Sequence, residues 1–245
     1  MNFKGKVAMV TGASVGIGRA TALCFAEKGA DLVLVDINAQ ALFAVCEEAK
    51  KFGVKALAFE CDVTDEEKVN EVVAKANEEL GKIDILVNNA ALWRDRSRFE
   101  ESSTQLWKRY FDVNVIGLYL CTRAVIGGML ERAYGRIINV ASVAGVYGNA
   151  KMVHYSATKG AVIAMTTALA KEVTDRGVLV NCVSPGSVSP SNEEDMDYSK
   201  PSELSFMGRT GTDRENANLI LFLASDDASY IAGQNIQIDG CRKKM

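Results

Sequence analysis

Tyr155 and Lys159 stand four positions apart in the stretch VHYSATKGAV, which covers residues 153–162. Residues at positions i and i+4 of a helix share one face, so the phenol and the ammonium can meet. Tyrosine has a reference pKa of about 10, too high for a base at neutral pH. An ammonium about 4 Å away contributes on the order of 4 kcal/mol, and desolvation of the phenolate offsets part of this. The spacing therefore predicts a tyrosine whose pKa is lowered and which moves a proton, with a solvated surface pair as the alternative.

A glycine-rich turn, TGASVGIG at residues 11–18, joins a strand-like apolar run to a helix-like one. Gly12 lets the chain turn, Gly16 lets the backbone approach a pyrophosphate, and Gly18 allows the helix to pack closely on the strand. The amino terminus of the helix offers free N–H groups and a partial positive charge to phosphates. The position between a strand and a helix favours a dinucleotide site over a plain loop. The predicted contacts in this turn are Gly12, Ser14, Val15, Gly16, Ile17 and Gly18.

Asp36 ends the second apolar run, eighteen positions after Gly18. An acid at this place accepts hydrogen bonds from the adenosine ribose. It also repels the 2′-phosphate of NADP by roughly 1 to 4 kcal/mol per unit charge. No basic residue compensates, since Ile37 and Asn38 follow and Val15 occupies the glycine turn. Asp36 predicts NAD over NADP, with an ordinary strand-end or helix-capping aspartate as the alternative.

Short apolar runs alternate with longer amphipathic ones along almost the whole chain. The predicted strands are residues 6–12, 30–36, 54–62, 83–90, 135–142, 177–186 and 233–240. The predicted helices are residues 16–29, 39–51, about 65–80, about 103–130, 152–175 and about 213–224. Thr64 with Glu67 resembles a capping box for the third helix. This alternation predicts an α/β fold, a doubly wound (Rossmann-type) parallel seven-stranded sheet with helices on both faces.

We expect one NAD(P)-binding domain over residues 1–245, since the chain has no linker, repeat or low-complexity tract. The one long irregular stretch, at about 187–207, is predicted to be a substrate lid.

The composition excludes several classes of protein. The 28 basic and 31 acidic residues give a net charge of −3, which argues against a nucleic-acid binder. The single histidine and the absence of a C-x-x-C pair argue against a metal site. The chain starts without a signal-peptide pattern, and it has no uncharged apolar run long enough to span a bilayer. We expect a cytoplasmic protein without a nucleic-acid, membrane or metal partner. The cysteines, read as reduced buried thiols, are Cys24, Cys46, Cys61, Cys121, Cys182 and Cys241.

Further motifs follow the glycine turn in a fixed order. They are the pair Asp62–Val63, the turn Asn88–Asn89–Ala90–Ala91, the set Asn114, Ser142, Tyr155 and Lys159, the turn Pro185–Gly186, and the segment FLASDDASYIAGQNIQIDG at residues 222–240. Through these motifs the chain resembles the single-domain branch of the short-chain dehydrogenase/reductase family over nearly its whole length.

The resemblance implies a catalytic role for each member of the set. Tyr155 protonates a carbonyl oxygen during reduction or deprotonates an alcohol during oxidation, and Lys159 also holds the nicotinamide ribose. Ser142 hydrogen-bonds the reacting oxygen, and Asn114 positions a water that connects Lys159 to solvent. The cofactor contacts implied beyond the glycine turn are Asp36, Ile37, Asp62, Val63, Asn89, Ala90, Tyr155, Lys159, Pro185, Gly186 and Val188. Hydride passes directly between the substrate carbon and the nicotinamide.

The resemblance implies NAD-dependent interconversion of a secondary alcohol and a ketone, by a homo-oligomer, typically a tetramer. One alternative is an epimerase or dehydratase that retains its cofactor. Another is a cofactor-binding sensor without turnover.

Three positions depart from the family pattern. Ala91 replaces a glycine and is expected to crowd the backbone near the cofactor ribose. Pro190 stands where a threonine commonly holds the nicotinamide carboxamide, which leaves Ser189, Ser191 or the backbone N–H of Val188 as substitutes. Cys241 replaces a glycine near the carboxyl end.

Substrate contacts are predicted for Trp93, Tyr147 and His154, with packing as the alternative for His154. The loop LWRDRSRF is either a solvated or subunit-facing loop or a wall for an anionic or amphipathic substrate; its arginines are Arg94, Arg96 and Arg98. A roomy, partly apolar pocket is indicated by Trp93, Tyr147 and His154 together with the lid residues Met196, Tyr198, Phe206 and Met207. A steroid-like alcohol fits such a pocket, and a polyol or an acyl ketone remains an alternative.

Overall fold

Seven parallel strands form one sheet in the order β3-β2-β1-β4-β5-β6-β7 in the computed structural model, which describes residues 1–189 and 199–243. The elements are β1 (Val7–Thr11), α1 (Gly16–Glu27), β2 (Asp31–Asp36), α2 (Ala39–Lys50), β3 (Ala56–Glu60), α3 (Glu66–Leu80), β4 (Ile85–Asn88), α4 (Thr104–Phe111), α5 (Leu118–Glu131), β5 (Gly135–Val140), α6 (Val143–Tyr147), α7 (Val153–Val173), β6 (Val178–Pro185), α8 (Asp213–Ala224) and β7 (Asn235–Ile238). The predicted fold class is confirmed.

The strand order reverses between β1 and β4, which pair side by side with Ala8 opposite Ile85. An open α/β sheet has its crevice at the carboxyl ends of the strands where the order reverses. One hydrophobic core lies between the sheet and α1, α2 and α8, and a second lies between the other face and α3, α5 and α7. Burial on both faces explains why most positions of the central strands are apolar.

The helix predicted over residues 103–130 is interrupted. Between α4 and α5, residues Asp112–Gly117 form a π-helical turn, in which each N–H bonds five residues back. Such turns are rare and occur mostly at functional sites. The turn contains Asn114, whose side chain forms the contacts described below.

The segment Thr104–Glu131 is long and apolar enough to cross a membrane by length and composition alone. In this structure α5 packs on the sheet against β4 and β5. Its residues Cys121, Val125 and Met129 are buried in the second core.

The predicted capping box at Thr64 is wrong. Helix α3 begins one residue later, with Asp65 accepting a 3.1 Å hydrogen bond from the Lys68 N–H. Asp62 instead engages Thr64, accepting from its backbone N–H and from its hydroxyl. A capping box is present at α8, between Thr212 and Glu215.

The predicted lid lies partly outside the described residues, including Pro190, Ser191, Met196 and Tyr198. Of its described parts, Val188 forms a parallel bridge with Gly211, and Pro201 forms an antiparallel one with Arg209. Phe206 and Met207 are exposed. The lid stays a prediction.

Two helical glycines provide a test of how closely α1 packs on the glycine turn. A Cβ at Gly18 would overlap the carbonyl oxygen of Gly12, whereas a Cβ at Gly127 in α5 would meet nothing within 4 Å. Gly127→Ala should raise the free energy of unfolding by about 1 kcal/mol through helix propensity. Gly18→Ala should lower it by more than that, because backbone has to move. Urea unfolding of both variants measures the difference, and equal stabilisation by both would contradict this packing.

Candidate active site

Ser142, Tyr155 and Lys159 meet at the carboxyl end of β5, which is adjacent to β4 and one strand from β1. Ser142 follows β5 and caps α6, accepting a 3.1 Å hydrogen bond from the Ala144 N–H. Tyr155 and Lys159 lie one turn apart near the start of α7. The carboxyl edge of the sheet thus brings together three of the four predicted catalytic side chains.

Lys159 is buried, with 3% of its surface exposed. Its Nζ donates a 2.7 Å hydrogen bond to the carbonyl oxygen of Val140, the last residue of β5. The same Nζ lies 5.8 Å from the centroid of the Tyr155 ring. The ammonium is therefore fixed to the sheet as well as facing the phenol.

Burial governs both titrations. Desolvation lowers the pKa of Lys159 to about 8. Desolvation also raises the pKa of Tyr155, and a hydrogen bond from the Ser142 hydroxyl offsets part of that rise. The expected lowering of the Tyr155 pKa by Lys159 is wrong for this arrangement, because the cost of a buried phenolate outweighs the stabilisation available to it.

Asn114 lies in the π-helical turn and is buried. Its Oδ1 accepts a 2.7 Å hydrogen bond from the Leu92 N–H, and its Nδ2 donates to the Leu92 carbonyl and to Thr158 Oγ1, both at 3.0 Å. Thr158 in turn donates to the Tyr155 carbonyl oxygen at 2.8 Å. These partners occupy the side chain, so a contact to the predicted water would have to come from the Asn114 backbone. No sequence motif indicated the role of Thr158 as a hydrogen-bond partner of Asn114.

The glycine turn has the shape that a diphosphate requires. Gly16 has φ +58°, and of the described residues beyond its chain neighbours and its own helix only Asp213, through Oδ1 at 3.8 Å, lies within 4 Å of where its Cβ would be. Val15, which precedes α1, gives the first helical turn no side-chain cap. Open space in front of uncapped helix N–H groups fits an anion.

The turn is held against the end of β4. Thr11 Oγ1 accepts hydrogen bonds from the backbone N–H groups of Asn89 and Ala90, and Asn89 Nδ2 donates to the carbonyl oxygens of Thr11 and Gly12. A Cβ at Gly12 would lie 2.8 Å from Ala90 Cα. Asn89 and Ala90, predicted as cofactor contacts, therefore also shape the turn, and Thr11 is a positioning residue that the motif contained without an assigned role.

Asp36 faces the glycine turn from the end of β2. Its carboxylate accepts hydrogen bonds from the backbone N–H groups of Ser14, at 3.0 Å, and Asn38, at 2.9 Å. Ile37 and Val15 beside it are exposed. The carboxylate is thus fixed at the carboxyl end of β2, beside the glycine turn.

The remaining predicted cofactor residues lie around the same crevice. The side chain of Val63 is buried, and a Cβ at Gly117 would lie 2.6 Å from its Cγ2. After Pro185, a Cβ at Gly186 would lie 2.8 Å from Asp239 Cα. Close packing therefore explains Gly186 without reference to a ligand.

Two substitutes for the missing threonine can be located. Ser189 is buried and hydrogen-bonds the Thr210 hydroxyl, so its own hydroxyl has a partner. Val188 bridges to Gly211 through the Ser187 carbonyl and the Ser189 N–H. Since alternate peptides of a strand point to opposite sides, the N–H of Val188 points away from this bridge. Val188 therefore fits the substitute role better than Ser189.

Three predicted substrate residues differ in position. Trp93 is exposed, with the Arg94 guanidinium 5.2 Å from its ring centroid. Tyr147 is also exposed and donates a 2.6 Å hydrogen bond to Gln237 Oε1. His154 has 1% of its surface exposed and packs edge-on against Tyr110, with ring centroids 4.4 Å apart. This burial favours packing over a substrate contact for His154.

Two departures from the family pattern have a backbone explanation. Among the described residues, positive φ outside glycine occurs at Ala133, Lys151 and Cys241. Ala91 therefore avoids the left-handed region, and no backbone strain marks the expected crowding. Cys241, at φ +58°, keeps the conformation that favours the glycine it replaces.

Within residues 1–189 and 199–243, no group of three or more His, Cys, Asp and Glu side chains is placed to hold a metal ion. Five of the six cysteines are buried free thiols, and Cys241 is exposed.

Comparison with known proteins identifies relatives along the whole chain. A family model described as short chain dehydrogenase matches residues 6–200. A 3-oxoacyl-(acyl-carrier-protein) reductase FabG of Thermotoga maritima is 40% identical over 245 residues, which cover 98% of each chain. A (2S)-((R)-hydroxy(phenyl)methyl)succinyl-CoA dehydrogenase subunit of Thauera aromatica is 38% identical, covering 99% of this chain and 98% of that one. A crystal structure of NAD+-bound xylitol dehydrogenase superposes with a TM-score of 0.90 at 34% identity, covering 98% of this chain and all of the other.

The lowered pKa of Lys159 predicts a pH-dependent stability. Between its folded value of about 8 and its ordinary value of 10.5 the unfolded chain binds more protons, so the contribution of Lys159 to stability rises with pH. Between pH 7 and pH 9.5 the wild type should gain about 2 kcal/mol relative to Lys159→Met, which cannot titrate. Urea unfolding of both proteins across this range gives the difference. A constant difference would show that Lys159 titrates normally.

Proposed function

We propose that this chain, which belongs to the family of short-chain dehydrogenases, is an NAD(H)-dependent oxidoreductase that interconverts a secondary alcohol and a ketone. The observation that supports this most directly is Tyr155 beside Ser142 and the buried Lys159, at the sheet edge that also holds the open glycine turn. Members of the family are oxidoreductases, and the residues of the crevice fit a pyridine nucleotide.

The chemistry divides between cofactor and protein. A bound nicotinamide supplies the acceptor or donor of hydride. Tyr155 donates its phenolic proton to the carbonyl oxygen in reduction and takes the hydroxyl proton in oxidation. Ser142 donates a hydrogen bond to the same oxygen. Burial raises the pKa of Tyr155, so the phenol holds its proton at neutral pH and is ready to act as the acid of the reduction.

The preference for NAD is supported by the fixed carboxylate of Asp36. Two backbone N–H groups hold it at the end of β2, where the 2′-phosphate of NADP would lie close to a negative charge. Arg19, a cation of the first helix, pairs with Glu48 at 2.7 Å and is not free to neutralise that phosphate. The structurally similar xylitol dehydrogenase was solved with NAD+ bound.

Among the substrate classes considered, an acyl ketone has the most support. Two relatives reported above act by name on acyl thioesters of carrier protein or CoA. Arg94 and Arg96 are exposed and have no ion-pair partner within the described residues, so they are free to attract the phosphates of such a carrier. A steroid-like or polyol substrate stays an untested prediction.

We also propose a homo-oligomer, consistent with a tetramer. Ile116 and Tyr119 expose apolar surface next to the start of α5, as an interface between copies of the chain requires. The cytoplasmic location stays a prediction.

Replacement of Tyr155 tests turnover against the two alternatives. Tyr155→Phe should lower kcat about 10²- to 10⁴-fold, because it removes the proton that the reaction exchanges, and it should leave NADH binding intact. The assay follows reduced-cofactor absorbance with acetoacetyl-CoA and with cyclic, polyol and steroid substrates. Tyr230→Phe, at a fully exposed position outside the site, is the control.

The other outcomes separate the alternatives. Cofactor binding without conversion of any substrate would favour a sensor. Conversion of substrate without net change in the cofactor would favour an epimerase or dehydratase.

Asp36 should determine the choice of cofactor. We expect the wild type to favour NADH over NADPH about ten- to hundredfold in kcat/KM, and Asp36→Ala to reduce that ratio at least about tenfold. Asp31→Ala is a matched control, since Asp31 also holds a backbone N–H, that of Lys55, but at the opposite end of β2. A wild type that prefers NADPH would refute the assignment.

A further inference from the structure

We propose that Tyr110 is a positioning residue that holds the arginine-rich loop, residues 92–98, as a fixed wall of the catalytic pocket through a latch to Asp95. The position of the loop is independent of the proposed function. The inference that the loop contacts a substrate rests on that function.

The latch consists of two hydrogen bonds to one hydroxyl. Tyr110 Oη donates to Asp95 Oδ2 and accepts from the Asp95 backbone N–H, both at 3.0 Å. Tyr110 has 0% of its surface exposed, while Asp95 lies on the exposed loop. A fixed phenol inside the protein thus binds both the side chain and the main chain of a surface residue. Desolvation raises the pKa of Tyr110 to about 12, so the hydroxyl remains a donor at neutral pH.

The ring of Tyr110 is held by the helix that carries the catalytic tyrosine. His154 packs edge-on against it at 4.4 Å, and the Tyr155 ring lies edge-on at 6.5 Å. His154 and Tyr155 are consecutive residues of α7. The latch therefore connects the loop to the part of α7 that positions the reacting phenol.

The ends of the loop are anchored separately. Both backbone groups of Leu92 bond the Asn114 side chain, and the Ser97 N–H donates to the Lys151 carbonyl oxygen at 3.0 Å. Between these two anchors, the latch at Asp95 is the hydrogen-bonded tie to the body of the protein within the described residues. Its loss should free Trp93, Arg94 and Arg96 while the ends stay in place.

A mobile loop should weaken substrate binding more than it slows the chemical step. A substrate that contacts Trp93 or Arg94 would have to order the loop, and the entropy lost in doing so weakens binding. Loss of the hydroxyl alone leaves the Tyr110 ring packed against His154 and Tyr155, so the reacting atoms should stay in place. We therefore expect a rise in KM at nearly constant kcat.

Tyr110→Phe tests the latch because it removes only the hydroxyl. Trypsin cleaves after Arg94, Arg96 and Arg98, and its rate in the intact protein follows the population of the open loop. Loss of a hydrogen bond to a carboxylate should raise that rate about tenfold. The matched control is Tyr134→Phe, since Tyr134 also donates to an aspartate, Asp226, at the opposite end of β5.

Two variants of Asp95, the hydrogen-bond partner of Tyr110, give an independent check without altering the core. Asp95→Ala should be cleaved faster, as Tyr110→Phe is, whereas Asp95→Asn keeps an acceptor oxygen and should stay within about threefold of the wild type. Cleavage of Tyr110→Phe no faster than of Tyr134→Phe would overturn the latch.

Kinetics with acetoacetyl-CoA test what the latch serves. Tyr110→Phe and Asp95→Ala should raise KM about tenfold with kcat nearly unchanged, and Asp95→Asn should restore KM. An unchanged KM, or a loss confined to kcat, would overturn the assignment of the loop to the pocket wall. Should the wild type itself turn over no substrate, the proposed function fails and the trypsin experiment alone decides the latch.

Discussion

The buried ammonium of Lys159 is the interaction on which the catalytic site depends. It replaces the solvation of its charge largely by one hydrogen bond, to the carbonyl oxygen that ends β5. This bond ties α7 to the sheet, and α6 packs closely on the backbone of α7 at the same residue. A Cβ at Gly145 in α6 would lie 2.6 Å from the carbonyl carbon of Lys159. The same burial that fixes Lys159 also lowers its pKa, so position and charge state have one cause.

Below the site, polar side chains connect the strands to the helices. Asn88 Nδ2 donates to Thr122 on α5 and to Asn139 on β5, and Asn139 Nδ2 donates to Thr166 on α7, all at 2.9 Å. Buried amides are costly unless they are paired, so this chain of bonds favours one alignment of the helices over others. The catalytic side chains inherit that alignment because they stand on the same strands and helices.

The sequence predicted the sheet, and it predicted the residues that gather at its carboxyl edge, because periodicity and glycine position are local signals. It missed features that distant contacts decide. The π-helical turn around Asn114 leaves the apolar pattern of the sequence unchanged. The Asn114 side chain is hydrogen-bonded to Leu92 and Thr158, which are distant in sequence. Thr64 has the form of a cap, but Asp62 engages it. The i, i+4 spacing showed that Tyr155 and Lys159 share a face, and it carried no information on Val140, the acceptor that Lys159 uses.

The hydrogen bond from Lys159 to Val140 changes how Tyr155 works. The Lys159 ammonium is bonded to the Val140 carbonyl oxygen rather than to the phenol, so the phenolate gains less from it than the spacing predicted. Ser142 offers a hydrogen bond but no charge. The protein alone therefore favours the protonated phenol. In this state Tyr155 can donate a proton without further charge nearby. Acting as a base requires further positive charge near the phenol, so oxidation should depend on what is bound beside Tyr155 more strongly than reduction does.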